Sequence, residues 1–169
     1  MVRTIIKYGD PRLERPSDPV TEFNGELVTL VQDMFETMYA ARGVGLAAPQ
    51  IGINKRIFVM DCAGGKDPAQ KYVMINPEIL VAEGEDIAEE GCLSLPGFYA
   101  KVARPVRVVA RGLNLDGKEY TLDVRDLAAR CVAHEVDHLD GKLYLVHLSP
   151  IKRDLLERKI KKLIKAGEW

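Results

Sequence analysis

Apolar residues recur at helical spacing in three stretches of the chain. This pattern predicts a first helix over about residues 24–41, which Gly43 can end. It predicts a second helix over about residues 126–140, with Gly141 just beyond its last turn. A third helix is predicted over about residues 149–166. The long middle of the chain shows a different pattern.

Capping signals mark the starts of the two later helices. Asp123 or Asp126 can cap the second helix, because a short acidic side chain accepts hydrogen bonds from the free N–H groups of a first turn. The Ser149-Pro150 pair predicts the start of the third helix. The apolar stripe of that helix is predicted to consist of Ile151, Leu155, Ile160 and Leu163.

Short strands are predicted in the middle of the chain, where β-branched and aromatic residues cluster between turn residues. The predicted strands cover residues 56–60, 72–75, 79–81, 106–110 and 119–122. Asn76-Pro77 separates two of them, and Asp116-Gly117 predicts a hairpin turn between the last two. Residues 43–53, rich in Gly and Ala, are predicted to form a loop.

Strands in the middle and helices at both ends predict an α+β fold, with short mixed or antiparallel strands packed around the second helix. A length of 169 residues suits one domain, so residues 1–169 are expected to form a single catalytic domain.

The net charge of −1 gives no overall field that would attract DNA or a membrane surface. No apolar run approaches a membrane span, and the first residues lack the apolar core of a secretory signal. The three cysteines show no disulfide-framework spacing, which indicates a reducing cytoplasm.

The strongest chemical signal is His-Glu-Val-Asp-His at residues 134–138. At four-residue spacing on a helix, His134 and His138 lie on one face and can share a metal ion. Glu135 can then exchange a proton with a metal-bound water. The motif predicts metal-assisted hydrolysis, against the alternative of two buried or solvated histidines without a ligand.

A catalytic metal usually takes a third protein ligand, and several residues are candidates for that position. Tyr144 stands where the metzincin pattern requires a histidine, so that pattern fails. Glu157 lies among basic residues and is better interpreted as an exposed, salt-bridged side chain. Cys131 shares the helical face of the histidines, but an ion between them would lie about 7–8 Å beyond it along the axis, farther than a cysteine side chain reaches. Cys62 and Cys92 remain open, with the neighbouring glycine and apolar residues modestly favouring Cys92.

Three segments resemble the motifs of peptide deformylase, and they occur in the same order as in that family. They are Gly-Val-Gly-Leu-Ala-Ala-Pro-Gln at 43–50, Glu-Gly-Cys-Leu-Ser at 90–94 and the histidine motif at 134–138. The resemblance runs from the Asp10-Pro11 opening to the basic terminal helix over residues 148–169, which is similar to that of the bacterial type 1 enzymes. It covers nearly the whole chain.

The resemblance implies that Cys92, His134 and His138 bind one metal ion per chain. The ion would be Fe(II), with Zn(II), Ni(II) or Co(II) as substitutes. The implied reaction is removal of the formyl group from the N-formylmethionine of newly made polypeptides, with release of formate. The resemblance thereby resolves the choice that spacing alone leaves open between Cys62 and Cys92.

The resemblance also implies roles for residues around the metal. The Gln50 side-chain amide and the Leu93 backbone N–H would stabilise the oxyanion, and Glu135 would carry a proton from water to the leaving amine. From sequence alone, Gln50 is better interpreted as a polar residue capping a turn. Glu90 and Arg104 are expected to pair behind the site.

Substrate contacts follow from the same resemblance. Val44, Gly45 and Gly91 would present backbone groups to an extended peptide. The methionine pocket would be lined by Val44, Leu127, Cys131 and the His134 ring. Arg130 occupies a pocket-wall position that is often aliphatic in the family, so its stem is expected to line the pocket while its guanidinium reaches solvent.

The implied partners are N-formylmethionyl nascent peptides and, through the basic C-terminal helix, the ribosome. No DNA or membrane partner is expected, and the expected location is the cytoplasm. Two other functions compete: a metallopeptidase that uses Glu157, and a structural metal-binding module. A structural site should have four protein ligands, whereas the chain offers three convincing ones.

Overall fold

The computed structural model describes residues 1–169. Its helices are α1 (Gly25–Ala40), α2 (Asp126–Leu139) and α3 (Pro150–Lys165). Its strands are β1 (Gly45–Ala47), β2 (Ile57–Asp61), β3 (Lys71–Glu83), β4 (Asp86–Gly91), β5 (Tyr99–Arg104), β6 (Arg107–Leu113) and β7 (Glu119–Arg125). Short 3-10 turns lie at Pro11–Glu14, Ala48–Ile51, Pro68–Gln70 and Tyr144–His147. The predicted α+β class is confirmed.

The strands form two separate sheets. Five of them make an antiparallel sheet in the order β1-β2-β3-β6-β7. Strands β4 and β5 pair only with each other, and we call this two-stranded unit, residues 86–91 and 99–104, the ribbon. The predicted hairpin is confirmed: β6 and β7 are joined by a turn in which Gly117 has a φ of 75° and donates to the Asn114 carbonyl at 3.0 Å.

The five-stranded sheet is covered by a helix on each face. Along β2, Ile57 and Val59 pack with α1, whereas Phe58 and Met60 pack with α2. Alternating residues of a strand point to opposite faces, so this strand is buried on both sides. The sheet therefore fixes α2, which carries the histidine motif, in the interior of the molecule.

The predicted break at Asn76-Pro77 is wrong. Strand β3 continues through it, with register shifts between Ile75 and Glu78 and between Ile79 and Val81. Asn76 adopts a φ of 51°, and its side chain bonds both backbone groups of Val20. Bulges let the strand continue past Pro77, which has no N–H to donate. Short-range sequence signals do not show that a bulge will form.

Three strands were missed by the sequence analysis. Part of the predicted loop over residues 43–53 is β1, which is held by its pairing with β2. Strands β4 and β5 carry alternating charges and small residues, and Glu89 faces Lys101 across the ribbon. Complementary cross-strand pairs stabilise such strands only once the partner is present, so neither segment is recognisable alone.

The helix boundaries agree with the predictions better than the caps do. Neither Asp123 nor Asp126 caps α2: Arg125 holds the cap position without a side-chain bond, and Asp126 has a φ of 55°. Ser149 does cap α3, accepting from the Lys152 N–H at 3.3 Å, and Gly141 ends α2 with a φ of 76°.

The predicted apolar stripe of α3 is partly wrong. Ile160 is buried and Leu163 half-buried, but Ile151 is 75% and Leu155 55% exposed, while Leu156, which was not predicted, is buried. Leu156 and Ile160 pack into a small cluster with Leu13, Leu95 and Tyr144. Because α3 touches the protein along one narrow line, fewer apolar residues are covered than a wide stripe would allow. None of the helices is both long and apolar enough to cross a membrane.

Candidate metal and active site

Three potential metal ligands converge where α2 meets the ribbon. His134 and His138 lie one turn apart on α2, and their Nε2 atoms are 3.1 Å apart. Cys92, the first residue after β4, lies with its Sγ 3.3 Å from the His138 Nε2. The three donor atoms all lie within 4.8 Å of one another. The ligands thus come from two elements that belong to different parts of the fold.

The donor set fits a divalent transition metal. Bonds of about 2.0–2.3 Å in a tetrahedral site separate donors by about 3.3–3.8 Å, close to the separations of 3.1 and 3.3 Å that the His138 Nε2 makes with the other two donors. Thiolate and imidazole are ligands that Zn(II) and Fe(II) accept. The Nδ1 atom of His138 and the Oε1 atom of Glu135 are buried without a protein hydrogen-bond partner. Glu135 lines a cavity beside the donors, and a buried oxygen of this kind indicates a site completed by groups outside the protein. The His138 Nδ1 lies on the side of its ring opposite the Nε2 donor.

The other candidates for the third ligand lie elsewhere. Cys62 directly follows β2, and Cys131 is directed at the Val44 carbonyl oxygen, 3.7 Å away. Glu157 accepts from the Arg153 guanidinium at 2.9 Å, as its basic surroundings predicted. The hydroxyl of Tyr144 donates to the Phe98 carbonyl.

Glu90 orients the first histidine. Its Oε2 accepts from the His134 Nδ1 at 2.7 Å, which leaves Nε2 of that ring facing Cys92 and His138. Arg104 donates to both carboxylate oxygens, at 3.0 and 2.8 Å, so the expected Glu90–Arg104 pair is present. Burial alone would raise the pKa of Glu90, but the His134 and Arg104 hydrogen bonds outweigh it and hold the pKa well below its usual range.

A second carboxylate extends this network to the surface. Arg104 also donates to Asp137 at 2.7 Å, and Asp137 lies 2.7 Å from the Nε2 of His147. His147, which had no assigned role, is a partly exposed residue of the Tyr144–His147 turn. Of the two carboxylate partners of Arg104, Glu90 lies within the ribbon, and Asp137 ties the ribbon to α2.

Glu135 faces a space that a glycine leaves open. Its carboxyl is buried, and a Cβ on Gly45 would lie 2.6 Å from Oε2. Burial raises the pKa of Glu135 to about 7. A carboxyl with a pKa near neutrality both accepts and donates a proton readily, which suits acid–base chemistry.

Gln50 is held with its amide nitrogen directed toward the cluster. Its Oε1 accepts from the Ala47 N–H at 3.0 Å, and its Nε2 donates to the Ser94 Oγ at 3.2 Å. The same Nε2 lies 3.7 Å from the Cys92 Sγ. Gln50 does bond within its own turn, and that bond also aims the amide at the site. Ser94 ends the motif at residues 90–94 and was given no role, because the sequence does not show that it meets Gln50.

A cavity of about 490 Å³ opens beside the three donors. Most of the predicted site residues line it: Val44, Gly45, Gln50, Gly91, Cys92, Leu93, Leu127, Arg130, Cys131, His134 and Glu135. His138 does not line it and lies fully buried behind the other two donors. Tyr99, absent from the predictions, also lines the cavity and lies across Gly91, where a Cβ would be 2.6 Å from its ring.

The prediction for the Arg130 guanidinium is wrong. Instead of reaching solvent, it is buried and donates to Glu90, to the Val102 carbonyl and to the Asp86 carbonyl. The prediction failed because nothing in the sequence indicates the ribbon, whose acceptors lie within reach only in the folded chain. Arg130 therefore borders the cavity and contacts the ribbon at the same time.

Comparison with known proteins agrees with this geometry. A family model described as polypeptide deformylase matches residues 2–154. A peptide deformylase of Acidobacterium capsulatum is 53% identical over 169 residues, which cover 100% of this chain and 99% of the relative. The crystal structure of a peptide deformylase from Legionella pneumophila superposes with a TM-score of 0.92 at 44% identity, covering 99% of this chain and 98% of that one. The peptide deformylase from Thermus thermophilus superposes with a TM-score of 0.90 at 41% identity, covering 98% and 97%. The chain belongs to the polypeptide deformylase family.

Proposed function

We propose that Cys92, His134 and His138 hold the metal ion with which this deformylase acts. As a member of its family, the chain is a metal-dependent hydrolase that removes the N-formyl group from new polypeptides. The observation that carries the assignment is the convergence of one thiol and two imidazoles within 4.8 Å, beside a buried carboxyl that has an oxygen without a protein partner. These residues and the rest of residues 1–169 would form one catalytic domain.

The proposed ion is Fe(II), one per chain, with Zn(II), Ni(II) or Co(II) able to replace it. All four are divalent ions that imidazole and thiolate ligands accept. When bound, such an ion acts as a Lewis acid and lowers the pKa of water. Cys92, His134 and His138 would supply three ligands, and a catalytic ion takes water or substrate as its remaining ligand.

The reaction needs a proton carrier and donors for negative charge. Glu135 takes the proton from the attacking water and delivers it to the leaving amine. The Gln50 side-chain amide and the Leu93 backbone N–H donate to the formyl oxygen as that oxygen gains charge. The hydrogen bond from the Ala47 N–H supports this role for Gln50, because it fixes which end of the amide faces the site.

The peptide is proposed to bind as an added strand along β4. One edge of β4, which ends at Gly91, has no partner strand. Val44, Gly45 and Gly91 all line the cavity, so their backbone groups are available to an extended peptide. The methionine side chain would lie against Leu127, Cys131, the stem of Arg130 and the His134 ring. Contacts of this kind grip only the first residues of a nascent chain.

A formate-release assay on a formyl-methionyl peptide tests the metal assignment. Chelator should abolish formate release, and a stoichiometric divalent ion should restore it. Cys92→Ala should lose both the bound ion and the activity. Cys62→Ala removes a thiol outside the cluster and serves as the matched control, with normal metal content. A Cys92→Ala protein that retains its ion and its turnover would refute the assignment.

The basic face of α3 is proposed to contact the ribosome, where the substrate emerges in the cytoplasm. Five exposed lysines of α3 form no ion pair: Lys152, Lys159, Lys161, Lys162 and Lys165. Unpaired lysines attract the RNA phosphates, and the affinity should fall steeply with salt. Changing these lysines to Gln should abolish ribosome co-sedimentation at low salt and leave formate release from a short peptide unchanged. Salt-independent binding, or binding by the Gln variant, would contradict the proposal.

A further inference from the structure

Arg130 makes an unusual set of contacts for a residue beside a substrate cavity. It lies on α2 one turn before His134, and its side chain is 10% exposed. Its Nη1 donates to the Glu90 Oε1 at 3.0 Å and to the Val102 carbonyl at 2.9 Å. Its Nη2 donates to the Asp86 carbonyl at 2.7 Å. One guanidinium from α2 therefore reaches both strands of the ribbon.

The position of the ribbon matters because the proposed ligands are divided between two elements. His134 and His138 lie on α2, whereas Cys92 directly follows β4 of the ribbon. No backbone pairing joins the ribbon to the five-stranded sheet. Two-residue links join one end of the ribbon to β3 and β6, and side-chain contacts hold the ribbon against α2. A displacement of about 1 Å would take the sulfur out of bonding range of an ion on the two imidazoles.

Two buried arginines connect these elements in opposite directions. Arg104 extends from β5 to Asp137 on α2, near His138. Arg130 extends from α2 to Glu90, which also accepts from His134. A planar guanidinium with several fixed donors can serve three acceptors at once, which the single ammonium of a lysine cannot do with the same geometry.

We propose that Arg130 is a positioning residue for the metal cluster. It holds the ribbon against α2 through Glu90, Val102 and Asp86, so that the Cys92 sulfur remains within reach of an ion bound by the histidines. This inference rests on the proposed function, because it takes Cys92 as a ligand. Arg130 itself does not touch the ion or the reacting atoms.

The test compares Arg130→Lys and Arg130→Met with Arg107→Met. Both Arg130 variants keep an aliphatic stem beside the cavity. Arg107 supplies the control because it also forms two carboxylate pairs, with Asp123 and Glu83, at the start of β6 and away from the cavity. Each protein is purified without metal and titrated with Co(II), whose thiolate charge-transfer absorption reports the sulfur–metal bond directly. Affinity is measured by competition with a chromogenic chelator.

Both Arg130 variants should bind Co(II) about tenfold more weakly than wild type, with a weakened or shifted charge-transfer band. In the metal-replete variants, KM for a formyl-methionyl peptide should stay near the wild-type value while kcat falls. Arg107→Met should match wild type in every measurement. If Arg130→Met does not fold, Arg130→Lys decides the question.

Wild-type Co(II) affinity and absorption in folded Arg130→Lys would overturn the inference. A higher KM with unchanged metal affinity would also overturn it, by making Arg130 a pocket residue only. Failure of the proposed function looks different, since wild type would then lack the charge-transfer band or Cys92→Ala would keep it.

Discussion

Helices α2 and α3 are similar in length, 14 and 16 residues, yet α2 buries ionisable as well as apolar side chains and α3 buries apolar ones alone. Helix α2 buries five ionisable residues: Arg130, Cys131, His134, Glu135 and His138. Helix α3 buries only Leu156 and Ile160, and its charged residues face solvent or one another. The first helix has the burial pattern of a functional site, and the second has that of an ordinary surface helix.

The buried polar groups of α2 lower the stability of the fold unless they are hydrogen-bonded, and α3 carries no such groups. Burying a polar group without a partner is unfavourable, and most polar atoms of α2 avoid this through Glu90 and the ribbon. Three buried side-chain polar atoms lack a partner, and two of them belong to Glu135 and His138 on α2. Of these, the Glu135 Oε1 belongs to a residue that lines the cavity, where the proposed water would lie. Helix α3 has no such atom and carries no comparable chemistry.

The largest effect is expected from Glu135→Gln on α2. The amide keeps the shape of the carboxyl but cannot carry a proton, so formate release should fall about 10²–10⁴-fold. Metal content should stay at one ion per chain, because Glu135 is not a proposed ligand. Glu157→Gln on α3 is the matched control and should leave turnover unchanged. Near-normal turnover in metal-replete Glu135→Gln would show that Glu135 on α2 is no more needed for catalysis than Glu157 on α3.

Gln50→Ala should have the next largest effect. Loss of one preorganised donor to a developing oxyanion typically costs about 10²–10³ in turnover. Metal content of the variant should stay at one ion per chain, because Gln50 is not a proposed ligand. Thermal stability should fall, because the buried Ala47 N–H and Ser94 hydroxyl lose their partner, so turnover is measured per folded molecule. Normal turnover in a metal-replete variant would exclude Gln50 from the mechanism.

Leu156→Ala should reveal the structural role of α3. Leu156 is buried against the Leu13 and Tyr144 cluster, so its truncation should lower the free energy of unfolding by about 2 kcal/mol or more. Leu155→Ala, on the neighbouring exposed position, should change it by less than about 0.5 kcal/mol. Urea denaturation measures both, and turnover per folded molecule should not change. Equal losses in the two variants would show that α3 packs along a different face.

The smallest effect is expected from Arg153→Ala, also on α3. Its ion pair with Glu157 spans four residues on a partly exposed surface, and such a pair contributes about 0.3–0.5 kcal/mol at low salt. The difference from wild type should disappear in about 1 M salt, where the Debye length is about 3 Å. A loss that persists at high salt would mean that Arg153 contributes through packing instead.

Local patterns sufficed for much of the fold. The three helices, the β6–β7 hairpin and the Ser149 cap each depend on residues close together in the chain, and each prediction is confirmed. The predicted break in β3, by contrast, is wrong, because the bulges that carry it past Asn76-Pro77 depend on pairing with β6. The ribbon was missed for the same reason, since each of its strands is stabilised by the other.

The sequence by itself determined the family, because the three motifs occur in a fixed order. It also determined the metal-binding chemistry of α2, because a helix places residues four apart, such as His134 and His138, on one face. Only the tertiary structure decided which long-range partners these residues meet. It brought Cys92 to the two histidines, joined Glu90 to His134, and turned Arg130 from an expected solvent-facing side chain into a buried contact with the ribbon. The physical reason is that an acceptor forty residues away leaves no periodicity in the local sequence, whereas a helical face does.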